Sequence, residues 1–186
     1  MSGPRVIAGI AGGRKLHSVP GDITRPITDR AKESLFNILT GDLLESTWLD
    51  LFAGTGSVGI EALSRGASFV RFVDIHRKAI DTVRKNLDIT GLETNSEVIR
   101  MDAFTLLQRP PDRDFEYIYI APPQYKQLWK RALQVLDENP GWLAIDCWVI
   151  AQIHPVEYES LELNHLREID QRKYGSTLLV FYETVQ

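Results

Sequence analysis

The chain has 186 residues, 44% of them apolar, which is enough for one buried core and too few for two full-sized domains. No apolar run approaches the roughly 18 residues of a membrane-spanning helix, and Cys147 is the only cysteine, so we expect a cytoplasmic protein without an internal disulfide. The net charge of -4 argues against a protein that binds nucleic acid through its whole surface.

The N-terminal pattern differs from that of the rest of the chain. Residues 5–10 and 14–18 are typical of a small glycine-turned hairpin. A helix is predicted to begin at Thr28 or Asp29, because apolar residues recur at helical spacing from Ala31 onward. These elements lie in the most basic part of the chain.

From residue 47 onward, short apolar runs alternate with helical patterns, which is typical of βα units on a parallel sheet. Strands are predicted at Thr47–Phe52, Phe69–Asp74, Glu97–Arg100, Phe115–Ile120 and residues 145–153. Helices are predicted from a cap at Ser57 to an end at Gly66, from about His76 to Thr90, and from Leu128 to a stop at Asn139-Pro140-Gly141.

The last stretches break this alternation. Glu168–Arg172 and Thr177–Tyr182 flank Tyr174-Gly175-Ser176, with no room for a crossover helix, so they should pair as an antiparallel hairpin. The predicted fold is therefore α/β, a Rossmann-like doubly wound sheet that is mostly parallel with a C-terminal antiparallel hairpin strand. We expect residues 1–40 to form a hairpin and helix extension on a main domain of residues 41–186, the two making one compact unit.

A glycine loop follows the first predicted strand. Gly54, Gly56 and Gly59 match G-x-G-x-x-G, and Asp74 ends the next strand at the distance expected of a ribose-binding carboxylate. Alone, this pattern indicates a nicotinamide dehydrogenase, but no His or Lys lies where a hydride-transfer acid is expected.

Two further carboxylates favour another ligand. Asp50 lies inside the first strand, where it could meet a cationic amino group, and Asp102 follows the third strand, where it could bind an adenine amine. With Asp74 they match the amino-acid tail, ribose and adenine of S-adenosylmethionine. Each aspartate taken alone is better explained as a helix cap or a satisfied polar residue, but their joint placement with the glycines favours the ligand.

Several segments resemble one known family. Asp50 to Ser57 with Glu61 to Ala67, Arg25 to Arg30 with Glu33 and Phe36 to Leu39, and Tyr174 to Thr177 are similar to the RsmD family of 16S ribosomal RNA guanine-N2 methyltransferases. The resemblance implies a class I methyltransferase fold and S-adenosylmethionine as cofactor. It implies cofactor contacts from Asp50, Phe52, Gly54, Gly56, Asp74, Asp102 and Ala103.

The segment Ala121-Pro122-Pro123-Gln124-Tyr125 departs from the resembled pattern, which is Asp or Asn, Pro-Pro and then an aromatic residue. A base amine is a poor nucleophile, and acceptors that hold its N–H bonds direct its lone pair toward the methyl group. In one interpretation the Pro122 carbonyl and the Gln124 side chain are these acceptors, and Tyr125 stacks on the base. In the other, the protein is a silent RNA-binding or assembly factor.

The basic N-terminal segment is the candidate RNA-binding surface. Residues 1–40 hold six of the 21 basic residues and three of the 25 acidic ones. The RNA-binding candidates are Arg14, Lys15, Arg25, Thr28, Asp29 and Arg30, the last four placed by the resemblance. A helix start with a surface ion pair explains Asp29 and Arg30 equally well.

The expected partner is ribosomal RNA in the small ribosomal subunit, bound by a monomer. No Cys or His spacing predicts a metal site. A methyltransferase acting on another amine, such as adenine in DNA, remains an alternative.

Overall fold

The structure is a computed structural model that describes residues 3–21 and 26–186. The strands are β1 Thr47–Asp50, β2 Phe69–Asp74, β3 Ser96–Arg100, β4 Phe115–Ile120, β5 Leu143–Ile153, β6 Leu166–Tyr174 and β7 Thr177–Thr184. The helices are α1 Asp29–Ile38, α2 Ser57–Ser64, α3 Arg77–Thr90, α4 Ala103–Leu107 and α5 Leu128–Glu138. Short 3-10 turns lie at Glu93–Asn95, Pro140–Trp142 and Pro155–Glu157.

The seven strands form one sheet in the order β3-β2-β1-β4-β5-β7-β6. The first five strands pair in parallel, and β7 pairs antiparallel with both β5 and β6. The predicted α/β fold and the antiparallel C-terminal hairpin are thus confirmed. Because the chain order reverses at β1 and β4, the carboxyl ends of these neighbouring strands border the crevice in which such sheets bind ligands.

Helices cover both faces of the sheet. Residues of α1, α2 and α3, such as Leu35, Val58 and Val83, share one apolar core, whereas α4 and α5 pack in a second core through residues such as Leu107 and Leu133. This layering buries both sides of the parallel strands. Among the described residues, none of the helices combines the length and apolar character needed to cross a bilayer.

The N-terminal helix α1 belongs to the first core. Phe36 stacks on Trp48 of β1 with ring centroids 5.5 Å apart, and Trp48 stacks on Tyr117 of β4 at 4.7 Å. All three side chains are buried. This aromatic column fixes α1 against the sheet beside the ends of β1 and β4.

The predicted N-terminal hairpin is confirmed, but its paired part is short. Arg5 and Lys15 form an antiparallel bridge, flanked by bonds from Val6 N–H to the Arg14 carbonyl at 2.9 Å and from Leu16 N–H to the Pro4 carbonyl at 2.7 Å. Beyond this bridge the amides turn to α2, where Ile7 N–H donates to the Glu61 carboxylate at 2.8 Å and Ile10 N–H donates to the Ser64 carbonyl at 2.8 Å. These distant partners satisfy the backbone, so the pairing extends no further.

A buried polar cluster joins α1 to the start of α2. Lys32 donates to the Ser57 hydroxyl at 2.9 Å and lies 3.6 Å from the Glu61 carboxylate. Both charged side chains are almost fully buried, and burial lowers the pKa of the Lys32 amine. The cluster therefore ties the N-terminal part of the chain to the glycine loop.

The prediction that Ser57 caps α2 is wrong. Gly56, with φ of +79°, is the N-cap of α2, and Ser57 is the first helical residue. The Ser57 hydroxyl accepts a hydrogen bond from the Lys32 amine and does not cap the helix. The helix predicted from about His76 is confirmed, with His76 as its N-cap and Gly91 as its left-handed C-cap.

Candidate active site

A cavity of about 570 Å³ lies at the carboxyl ends of β1, β2 and β4. Its glycine-loop half is formed by Asp50 to Thr55, Ser57, Val58, Asp74 to His76, and Asp102 to Phe104. Its proline-loop half is formed by Tyr119, Ala121 to Lys126, and Gln152. The two halves are continuous, so one space joins the predicted cofactor and catalytic segments.

The glycine loop is held by Asp74. Gly54 N–H donates to Asp74 Oδ2 at 3.0 Å, and His76 N–H donates to Oδ1 at 2.9 Å. Each carboxylate oxygen has a second lone pair, so these bonds leave acceptor capacity toward the cavity. Asp74 therefore shapes the loop and remains able to bind hydroxyl groups.

The other two glycines act through packing and backbone conformation. Gly56 does not line the cavity; its left-handed conformation starts α2, and a Cβ atom there would lie 3.3 Å from Val83. Gly59 packs α2 against β2, since a Cβ atom would lie 2.3 Å from the Phe72 ring. These glycines bring the helix start close to the cavity floor.

Asp50, the last residue of β1, is a buried carboxylate in the cavity wall. It is 1% exposed, and its Oδ1 atom has no hydrogen-bond partner among the described residues. Burial and the neighbouring Asp74 raise the Asp50 pKa to about 8, against a hydrogen bond from the Gly59 backbone. A buried unpaired oxygen is costly unless a ligand satisfies it, so this atom fits a bound cation or hydrogen-bond donor.

The third predicted carboxylate also caps a helix. Asp102 is the N-cap of α4 and accepts from Thr105 N–H at 2.9 Å. It borders the cavity together with Ala103. The helix-cap interpretation of Asp102 is therefore correct for one oxygen, and the residue still lies at the predicted binding wall.

Aromatic rings close this end of the cavity. Phe52 is half-buried and packs edge-on against Phe104 with centroids 6.2 Å apart. The Arg131 guanidinium lies over the Phe104 ring, 3.9 Å from its centroid. Arg131 and Phe104 were not predicted, because no local motif marks a helix residue that reaches over from α5.

The proline-loop half carries strained backbone. Tyr125 has φ of +64° and Gln127 has φ of +56°, which is unusual for residues with side chains. Tyr125 N–H donates at 2.8 Å to Oε1 of Glu157, a buried residue. The Tyr125 ring is 62% exposed and lies 5.6 Å from the His154 ring, so it has a free face at the cavity mouth.

All three predicted catalytic residues line this half. Pro122 is buried in the wall, Gln124 is partly exposed, and Tyr125 stands at the rim. Sequence reasoning did not identify Tyr119, His76 or Gln152, which line the same cavity. His76 follows Asp74 closely enough to have been suspected, whereas the other two lie in strands without a motif.

The predicted RNA-binding residues are more dispersed. Arg25 lies outside the described residues. Thr28 is the N-cap of α1. Asp29 forms a surface ion pair, but its partner is Arg5, at 2.7 Å, and not Arg30. Arg14 donates to the Ile89 carbonyl at 2.8 Å, near the end of α3.

The described members of that set do not line the cavity, although the adjacent Pro26 and Ile27 do. Among the residues that the structure describes, the Lys and Arg side chains that border it are Lys126 and Arg131, at the end of the proline loop and in α5. Neither was predicted. Cationic side chains at the mouth suit a polyanionic substrate.

Together, the doubly wound sheet with its antiparallel hairpin and the carboxylate-lined glycine loop define a class I methyltransferase. The family model described as conserved hypothetical protein 95 matches residues 4–183. The chain belongs to this family, which is the RsmD family that its motifs resemble.

Similar proteins span nearly the whole chain. The Bacillus subtilis protein YlbH, named as a candidate rRNA methyltransferase, is 40% identical over 182 residues, 96% of this chain and 98% of its own. Ribosomal RNA small subunit methyltransferase D of Haemophilus influenzae is 38% identical over 75% of this chain and 72% of its own. The solved structure of yhhF from Escherichia coli superimposes with a TM-score of 0.87 at 28% identity, covering 97% of both chains.

Proposed function

We propose that this protein transfers a methyl group from S-adenosylmethionine to the exocyclic N2 amine of a guanine in small-subunit ribosomal RNA. One observation carries the proposal: a single cavity joins Asp50, whose Oδ1 atom has no hydrogen-bond partner among the described residues, to the Pro122 loop. The names of the relatives support ribosomal RNA as the substrate. The guanine N2 position rests on the motif resemblance.

The glycine-loop half suits the methyl donor. Asp50 would bind its ammonium group, Asp74 its ribose hydroxyls, and Asp102 with Ala103 its adenine. When bound, the donor supplies a methyl group on a positively charged sulfur. The lone pair of the amine nitrogen forms the new N–C bond as the C–S bond breaks, the sulfur keeps the electron pair of that bond, and the nitrogen then loses one proton to water. The positive charge of the donor matches the three carboxylates that border this half, those of Asp50, Asp74 and Asp102.

The proline-loop half suits a flipped base. The Pro122 carbonyl and the Gln124 side chain would accept the amine N–H bonds, because a proline pair stiffens the backbone and adds no competing N–H. Tyr125, exposed at the rim, would stack on the base. Orienting the amine in this way lowers the barrier without a strong base.

The RNA would reach the cavity past Lys126 and Arg131 on one side and the N-terminal segment on the other. The net charge of -4 favours a structured target, a small ribosomal subunit in the cytoplasm, over naked RNA in general. Ala121 leaves a second candidate function, an RNA-binding assembly factor without activity, because its methyl group offers the amine no acceptor.

Isothermal titration calorimetry with S-adenosylmethionine, its demethylated product and NAD tests the first half of the proposal. We expect binding of the first two and not of NAD. Small subunits from cells that lack the modifying enzyme then serve as the methyl acceptor, and the product nucleoside is identified by mass spectrometry. Binding without transfer would favour the silent assembly factor, and a methylated adenine would contradict guanine specificity.

A further inference from the structure

The proline-loop half contains a polar side chain that belongs to none of the sequence motifs. Gln152 lies near the end of β5, is partly buried, and lines the same cavity as Pro122 and Gln124. An amide in this position can both donate and accept hydrogen bonds. It therefore has the chemistry that a base edge requires.

The sheet register brings Gln152 beside Ala121. The last pair between β4 and β5 is Ile120 with Ala151, so Ala121 and Gln152 follow on neighbouring strands about 4.8 Å apart. Side chains alternate along a strand, so both project to the face on which Tyr119 lies. The Gln152 amide thus lies next to the position where Ala121 provides only a methyl group.

Tyr119 orients the Gln152 amide. Its hydroxyl donates to Gln152 Oε1. Tyr119 is buried, and burial together with the neighbouring Asp50 raises its pKa well above the ordinary value, so the hydroxyl keeps its proton. Oε1 retains a second lone pair, and among the described residues Nε2 makes no hydrogen bond.

We propose that Gln152 binds and orients the target base, supplying from β5 the polar group that Ala121 lacks. In guanine the N2 amine lies beside the N3 acceptor, so Nε2 can donate to N3 and hold this edge of the base. The Pro122 carbonyl and the Gln124 side chain then take the two N2–H bonds, and the nitrogen lone pair faces the glycine-loop half. This inference rests on the proposed function, and Tyr119 is its positioning residue.

The test compares Gln152→Met, which keeps the side-chain volume, with the double variant Ala121→Asn/Gln152→Met. Methyl transfer to unmodified small subunits gives kcat and KM, and calorimetry gives the affinity for S-adenosylhomocysteine. Gln134→Met, on the exposed face of α5, is the matched control. We expect Gln152→Met to lower kcat about ten-fold with unchanged cofactor affinity, as for a lost transition-state hydrogen bond.

The double variant is expected to recover most of that loss, because an asparagine at position 121 returns an amide to the same part of the cavity. A merely structural role for Gln152 predicts no such rescue. Wild-type kcat in Gln152→Met, or a double variant no faster than the single one, would overturn the inference and leave the proposed function standing. A wild-type protein that methylates no subunits would overturn both.

Discussion

The glycine-loop half of the cavity is bounded by strand ends and helix starts, whereas the proline-loop half is bounded by the loop of residues 121–127. In the first, Asp50 and Asp74 are buried and their positions follow from the strands that carry them. In the second, Tyr125 is largely exposed and two residues have strained backbone. The contrast suits a small ligand bound in a rigid site beside a large substrate received at an adaptable rim.

Removing the Asp74 carboxylate should have the largest effect on the glycine-loop half. Asp74→Ala leaves two backbone N–H groups without their acceptor and removes the ribose contact, so we expect affinity for S-adenosylmethionine to fall at least about 100-fold. Calorimetry measures this. Asp81→Ala, on the exposed side of α3, is the control. An affinity within three-fold of wild type would show that Asp74 only supports the loop.

A smaller loss is expected from Gly56→Ala. The left-handed conformation and the close Val83 side chain should cost about 1–2 kcal/mol of stability and weaken cofactor binding. Gly91→Ala shares a positive φ but has open space around it, so it should lose stability without losing affinity. If Gly56→Ala and Gly91→Ala bound S-adenosylmethionine equally well, the conformation of the glycine loop would have no part in cofactor binding.

The proline-loop half should respond in turnover and not in affinity. We expect Gln124→Ala to lower kcat about ten-fold while S-adenosylmethionine affinity stays nearly unchanged, because Gln124 lines the proline-loop half, in which we propose that the base binds. Steady-state methylation of small subunits and calorimetry give the two values. Wild-type turnover in this variant would remove Gln124 from the mechanism.

Cofactor binding should also depend on pH. With its pKa raised to about 8, Asp50 is mostly protonated at pH 6 in the free protein, and binding an ammonium group requires the ionised form. Affinity should therefore rise between pH 6 and 7.5, by at most about ten-fold per pH unit. Asp50→Asn should remove this slope and bind more weakly. A wild-type affinity that is flat over this range would contradict the assignment.

The same pKa shift gives a stability prediction of definite sign. A carboxyl group whose pKa is raised on folding stabilises the folded state most below its unfolded pKa of about 4, and this contribution is lost as the pH rises toward 8. Asp50→Asn should therefore gain thermal stability relative to wild type as the pH increases from 5 to 8. Thermal melts across that range measure the difference.

The sequence pattern predicted element bounds correctly where neighbouring residues determine the structure. The strands at Phe69–Asp74 and Phe115–Ile120 have the predicted bounds, because compact apolar runs end there in polar or proline residues. The N-terminal hairpin pairs over fewer residues than predicted, because the amides of Ile7 and Ile10 bind Glu61 and Ser64, more than fifty residues away. No local pattern reveals such a contact.

The site shows the same division. The predicted carboxylates line the cavity because each ends or closely follows a recognisable strand. Gln152 and Arg131 were missed because their relevance depends on the register between β4 and β5 and on how α5 packs, which only the folded chain specifies. Residue spacing thus located the glycine-loop half, and tertiary packing completed the other.

Strand β7 has a consequence for biosynthesis. It comes later in the chain than every other strand, yet it lies inside the sheet between β5 and β6. During translation one edge of β5 and the whole of β6 therefore have no strand to pair with until residues 177–184 leave the ribosome. We expect nascent chains that end before this strand to need chaperones that cover the unpaired strand edges.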